Sequence, residues 1–173
     1  MEQILLAIQK TKVDAGYGKK KHANAADRKE KYHQYIGIAL IVLNVLAVSA
    51  LFYIITSTGD KCATITALLL SLLAVVLSWL QTFFNFQKDV TGHRRIGNKY
   101  LSVMKKCARL QAYLGSNTMK DEDIRKSVED LGQEVDEINQ EAEEYPTNYA
   151  DYKKAHDGIN NDEEEYTQKE LAM

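Results

Sequence analysis

No Asp, Glu, Lys, Arg or His occurs between residues 36 and 56 or between residues 62 and 86. A soluble-core helix of that length carries a charged face, so this absence argues against an ordinary globular protein. Proline is nearly missing too: Pro146 is the only one, leaving little to interrupt long helices before it. Cys62 and Cys107 are the only cysteines, too few for a disulfide framework, and no Cys-x-x-Cys pair is present for zinc. His22, His33, His93 and His156 are scattered without the spacing of a metal site, and His93, beside Arg94 and Arg95, reads as an interface residue rather than a ligand. Gly16-Tyr17-Gly18-Lys19 lacks the full spacing of a phosphate loop, and no strand precedes it. With no nucleophile, base or metal cluster converging, the expectation is a non-enzyme with no cofactor. No acid lies inside either apolar run, where proton-coupled transport would want one.

What the chain has instead is a pair of membrane-length runs. At about 1.5 Å per residue, residues 36–56 cover roughly 31 Å as a helix, close to the ~30 Å of bilayer hydrocarbon, and residues 62–86 have length to spare. Each run holds 13 residues of Leu, Ile, Val or Phe. Their summed insertion preference has an upper bound of about −4 to −8 kcal/mol. The expected fold is therefore all-α: an integral membrane helical hairpin with spans at 36–56 and 62–86 and an outer loop at 57–61. Val48-Ser49-Ala50 mimics a signal-peptidase site, but roughly 35 polar residues precede the run and a second span follows, so no cleavage is expected.

Charge sets the orientation. Residues 1–120 hold 17 Lys and Arg against 6 Asp and Glu, whereas residues 121–173 hold 5 against 18. Lys19, Lys20, Lys21, Arg28, Lys29 and Lys31 precede the first span, Lys88, Arg94, Arg95, Lys99, Lys105, Lys106 and Arg109 follow the second, and the loop carries only Lys61. By the positive-inside rule both termini are cytoplasmic and the loop faces outward. Cys62 and Cys107 then fall on opposite sides of the bilayer, which excludes a disulfide between them. Tyr32, Tyr35 and Tyr53 suit the interface belts, while Trp79 sits deeper and requires tilt or an inner boundary near Leu80.

Residues 1–35 read as a cytoplasmic N-terminal helix with a sparse apolar stripe of Ile4, Leu5, Ile8, Ala15, Ala25, Ala26, Tyr32 and Ile36; Gly16 and Gly18 mark a point of bending or breakage. The second span is expected to run on without a stop through 87–114, with Val103, Cys107, Leu110 and Leu114 on one face. Gly115-Ser116-Asn117 breaks it, and Thr118 with Asp121 resembles a short capping box that starts a helix near Met119. In this acidic helix, 118–145, the positions Ile124, Val128, Leu131, Val135 and Ile138 alternate by four and three. They form either an oligomer seam or a face packed within one subunit. Pro146 opens a last segment, 146–173, around Tyr149, Tyr152 and Ala155, expected to be disordered from Gly158 onward.

One pattern inside the membrane stands out. Thr64, Ala67, Ser71, Ala74, Ser78, Gln81 and Asn85 place small and polar side chains along one face of the second span, and Gly37, Asn44 and Ala47 could match it from the first. Such a face serves either packing within the hairpin or the lining of a pore. Two helices cannot enclose a water-filled hole, so a conducting form would be a homo-oligomer.

The layout as a whole comprises a basic helical N-terminus, a tight hairpin and a Phe83-Phe84-Asn85-Phe86 exit. A basic helix with His93 and Tyr100-Leu101 follows, then an acidic helix and Tyr145-Pro146 with Tyr149-Ala150-Asp151-Tyr152. This resembles the SLATT family over about residues 3–160, on pattern and order rather than invariant chemistry. The resemblance implies an effector in a bacterial antiviral system, in the inner membrane, that assembles or opens on a signal and kills or arrests the infected cell. With no fused sensor here, the trigger would come from a separate nucleotide-signalling or reverse-transcriptase partner, or from a diffusible signal. The lipid bilayer is the other partner, and direct nucleic-acid binding is not expected. The alternative is a membrane-anchored coiled-coil adaptor without a pore.

Overall fold

The computed structural model describes residues 2–56, 61–115 and 119–161. They form five α-helices: α1 (Glu2–Thr56), α2 (Lys61–Phe84), α3 (Phe86–Gly115), α4 (Asp121–Ala142) and α5 (Tyr149–Asn160). No strand occurs among the described residues. Contacts divide the chain into a hairpin unit, residues 28–89, and a helical unit, residues 1–27 with 90–173.

The hairpin unit contains the two apolar stretches, and both are long and apolar enough to cross a membrane. Only 6% and 11% of their most apolar stretches is buried. A soluble-core helix would bury most of such a window; these present Leu, Ile, Val and Phe outward along their length, which suits a hydrocarbon solvent.

In the helical unit α1, α3 and α4 share one core. Ile8 and Ala15 of α1 join Ile96, Tyr100, Val103, Cys107 and Leu110 of α3 and Leu131 and Ile138 of α4, closed by Tyr145. The expected four-and-three seam of α4 thus lies inside the subunit: Ile124, Leu131 and Ile138 are buried, and Val128 and Val135 pack against the core half-buried. Of the two readings of these five residues, packing within one subunit is the one that fits these contacts, because the face shares a core with α1 and α3. The segregated charge serves the same packing. Acidic α4 lies along basic α3, where Glu141 takes Arg95 at 2.6 Å and Lys99, and Glu134 takes Lys106 at 2.6 Å. These pairs are half exposed and contribute little each, so they align the helices more than they stabilise them.

Several boundaries differ from expectation. Helix α1 runs unbroken through Gly16 and Gly18. Gly18 is there for close approach: a Cβ would fall 2.8 Å from the Tyr100 ring, and that packing offsets a helix-propensity cost of about 1 kcal/mol. The helix after the second span does not continue without a stop, since Asn85 interrupts it with φ of +39°. Helix α4 begins at Asp121 behind Lys120, without a side-chain cap, its first turn carrying Asp121, Glu122 and Asp123 against the helix dipole. Thr118, the expected cap, lies outside the described residues, as do 57–60 of the loop, 116–117 of the break and the tail beyond Asn161. Order extends past Gly158, which is buried in α5. That helix starts at a capping box: Asp151 N donates to Asn148 Oδ1 and Asn148 N donates to Asp151 Oδ2, both at 2.9 Å.

Candidate functional site

In the hairpin unit, each helix buries one stripe against the other. On α1 the covered positions are Ile36, Leu40, Leu43, Ala47, Ala50 and Ile54; on α2 they are Ala63, Ala67, Leu70, Ala74, Leu77 and Gln81. Both lines alternate by four and three, the geometry of left-handed antiparallel packing. Ala47, Ala67 and Ala74 are the most deeply covered, since small side chains let the backbones approach. At one end Gln81 Nε2 lies 3.3 Å from His33 Nδ1 and ties the helices together.

The polar face read from the sequence of the second span therefore splits. Ala67, Ala74 and Gln81 turn toward α1, whereas Thr64, Ser71, Ser78 and Asn85, seven residues apart, are exposed along the flank of that stripe. Hydroxyls in this unit also turn onto their own backbones: Ser71 Oγ donates to Leu68 O at 2.9 Å, Thr66 to Cys62 O at 2.9 Å and Ser49 to Val45 O at 2.8 Å. A hydroxyl satisfied in this way can face either lipid or water. Asn44 is exposed on α1, and its carboxamide makes no hydrogen bond among the described residues.

Asn85 closes the second span. Its left-handed backbone suits an asparagine better than most L-residues, and its carbonyl accepts from Lys88 N at 2.9 Å, restarting the helix as α3. Around it Phe84 and Phe86 stack at 5.5 Å, Tyr32 meets Phe86 edge-on at 6.3 Å, and Lys29 pairs with Asp89 at 2.5 Å.

The helical unit holds a feature the sequence did not disclose. His93, read as an interface residue, is 0% exposed, and His22 is 2% exposed. Their Nδ1 atoms lie 3.0 Å apart, so one imidazole donates and the other accepts. Tyr100 sits 6.0 Å from His22 and Tyr145 5.8 Å from His93. Burial, then the neighbouring His93 and Lys21, push His22 down to about 4, with Asp151 opposing. The available signal was the spacing of His22 from Gly18 and Ala26 by four, which continues the α1 stripe; which histidine it meets is a tertiary fact. Among the described residues no group of three or more His, Cys, Asp or Glu is gathered for a metal ion. The Cys107 thiol is raised by burial, which lowers its reactivity.

Gly92 makes room for this cluster: a Cβ there would stand 1.9 Å from Tyr145 Cε1. Gly92→Ala should destabilise the unit by about 1–3 kcal/mol despite alanine's better helix propensity. Combined with Tyr145→Ala it should add much less, a coupling that urea unfolding of the four variants measures.

A family model described as the SMODS and SLOG-associating 2TM effector domain family 4 matches residues 8–170. No curated protein matches the chain, and no solved structure does.

Proposed function

Because the chain belongs to the SMODS and SLOG-associating 2TM effector domain family, we propose that it is a non-enzymatic membrane effector of a bacterial antiviral system. On a signal from a sensor partner or a nucleotide, copies assemble in the inner membrane and permeabilise it. Both termini lie in the cytoplasm, as the cations flanking the spans favour. The observation that carries this reading is the row Thr64, Ser71, Ser78 and Asn85. It stays exposed when the hairpin's own packing is complete, on the side where several gathered hairpins would form a lumen. The helical unit receives the signal and holds the resting state.

Induced expression with the trigger present should depolarise cells. Ser71→Leu together with Ser78→Leu should abolish depolarisation while leaving the protein in the membrane fraction, since leucine at both levels makes the wall apolar. Full depolarisation by the double variant refutes the lumen assignment. A triggered wild-type chain that never changes membrane potential favours a membrane-anchored adaptor that recruits a partner.

A further inference from the structure

From the placement of Asn44 we propose that the face of α1 carrying Gly37, Ile41, Asn44, Val48, Leu51 and Ile55 is the contact between copies of this chain, with Asn44 pairing to Asn44. These positions alternate by four and three, one residue on from the stripe that packs on α2 and so about 100° around the helix. A helix can use both faces at once. Ile41, Val48, Leu51 and Ile55 are all more than half exposed, at 65%, 65%, 53% and 79%. β-branched residues recur every seven positions, with Gly37, Asn44 and Leu51 between them: the composition of a two-stranded seam with one polar residue setting its register.

The amide decides which partner fits. Asn44 stands eight residues, about 12 Å, into the run, and its side chain is too short to reach headgroups. Its two N–H donors and its oxygen make no hydrogen bond among the described residues, a state that hydrocarbon penalises strongly. The flanking hydroxyls solve this on their own backbones; the carboxamide does not. A carboxamide complements another carboxamide, donor to acceptor. Copies inserted with one orientation hold Asn44 at one depth, so an axis normal to the bilayer brings Asn44 to Asn44 with the rest of the seam in register. A second copy therefore satisfies the group without any other species.

The inference rests on the hairpin crossing lipid as proposed above, and its test separates the two. In full-length chain carrying Cys62→Ser and Cys107→Ser, reconstituted in sealed phospholipid vesicles, single cysteines replace Ile41, Val42, Asn44, Leu46, Val48 or Leu51 and are oxidised. Disulfide dimer should peak at 41, 44, 48 and 51 and fall to background at 42 and 46. In the otherwise wild-type chain, Asn44→Leu should weaken self-association in the bilayer about tenfold and Asn44→Gln should largely restore it. A flat profile, maxima at 42 and 46, or undiminished association of Asn44→Leu overturns the proposal. Dimers on the expected line in vesicles that stay sealed under the trigger support this contact and count against the pore. Leakage without dimers on this line overturns the contact and leaves the pore standing.

Discussion

Lowering the pH from 7 to 4 is expected to cost the helical unit about 3 kcal/mol of stability through His22 alone. In the unfolded chain this imidazole titrates near its ordinary 6.5, whereas in the folded unit it is held down to about 4. Between those values the unfolded state binds more protons than the folded one, so stability rises with pH through the window and is lost as pH falls. About 2.5 units at 1.36 kcal/mol each gives the magnitude. It applies with little discount because the side chain is 2% exposed. A second charge beside it is worse still, since His93 faces it at 3.0 Å and Lys21 adds to the repulsion, while Asp151 only partly compensates. Urea unfolding of the detergent-solubilised chain at pH 7, 6, 5 and 4, read by circular dichroism, gives the slope. His22→Gln cannot titrate and should flatten it between pH 6.5 and 4, whatever its effect at pH 7. An unchanged slope would mean that the buried pair is not what acid attacks.

Ile138→Ala should remove about 2–5 kcal/mol from the same unit, because a side chain only 3% exposed leaves a cavity in the core that it shares with α1 and α3. The informative part is the concentration dependence. If Ile124, Leu131 and Ile138 pack within one subunit, the unfolding midpoint of both wild type and variant should stay constant over a hundredfold range of protein concentration. A midpoint that climbs with concentration in wild type and not in the variant would return α4 to the role of an oligomer seam.

That contrast also shows what could be read from residues in order. The spans were legible because hydrocarbon imposes a length and forbids charge, and 36–56 and 62–86 meet both conditions without help from tertiary structure. The α4 seam was legible as a seam, since period and side-chain type are local, but its partner was not: a four-and-three face packs equally well on α3 or on a second copy. Gly16 and Gly18 were misread because helix propensity penalises glycine locally, while the Tyr100 ring that needs Gly18 lies 82 residues away. Asn148 and Asp151 carried a local signal, a capping box three residues apart just after Pro146. His22 carried only its spacing by four from Gly18 and Ala26, and nothing in the sequence specifies which histidine it meets.

The row of small and polar residues on the second span shows the same limit. Its spacing was legible, but Ala67 and Ala74 pack inward while Thr64, Ser71 and Ser78 remain exposed. A difference of 40° to 60° around one helix separates the two groups, and only the position of α1 resolves it.

The central claim is that residues 36–56 and the α2 stretch cross lipid as a pair, leaving both chain ends in the cytoplasm. A membrane-impermeant maleimide applied to intact spheroplasts tests it most directly, using the exposed Cys62 and, in a second chain, Ala108→Cys with Cys62→Ser. The account predicts that Cys62 is labelled from outside and position 108 only after the membrane is opened. Labelling of position 108 in sealed spheroplasts, or release of the chain by alkaline carbonate, would contradict it.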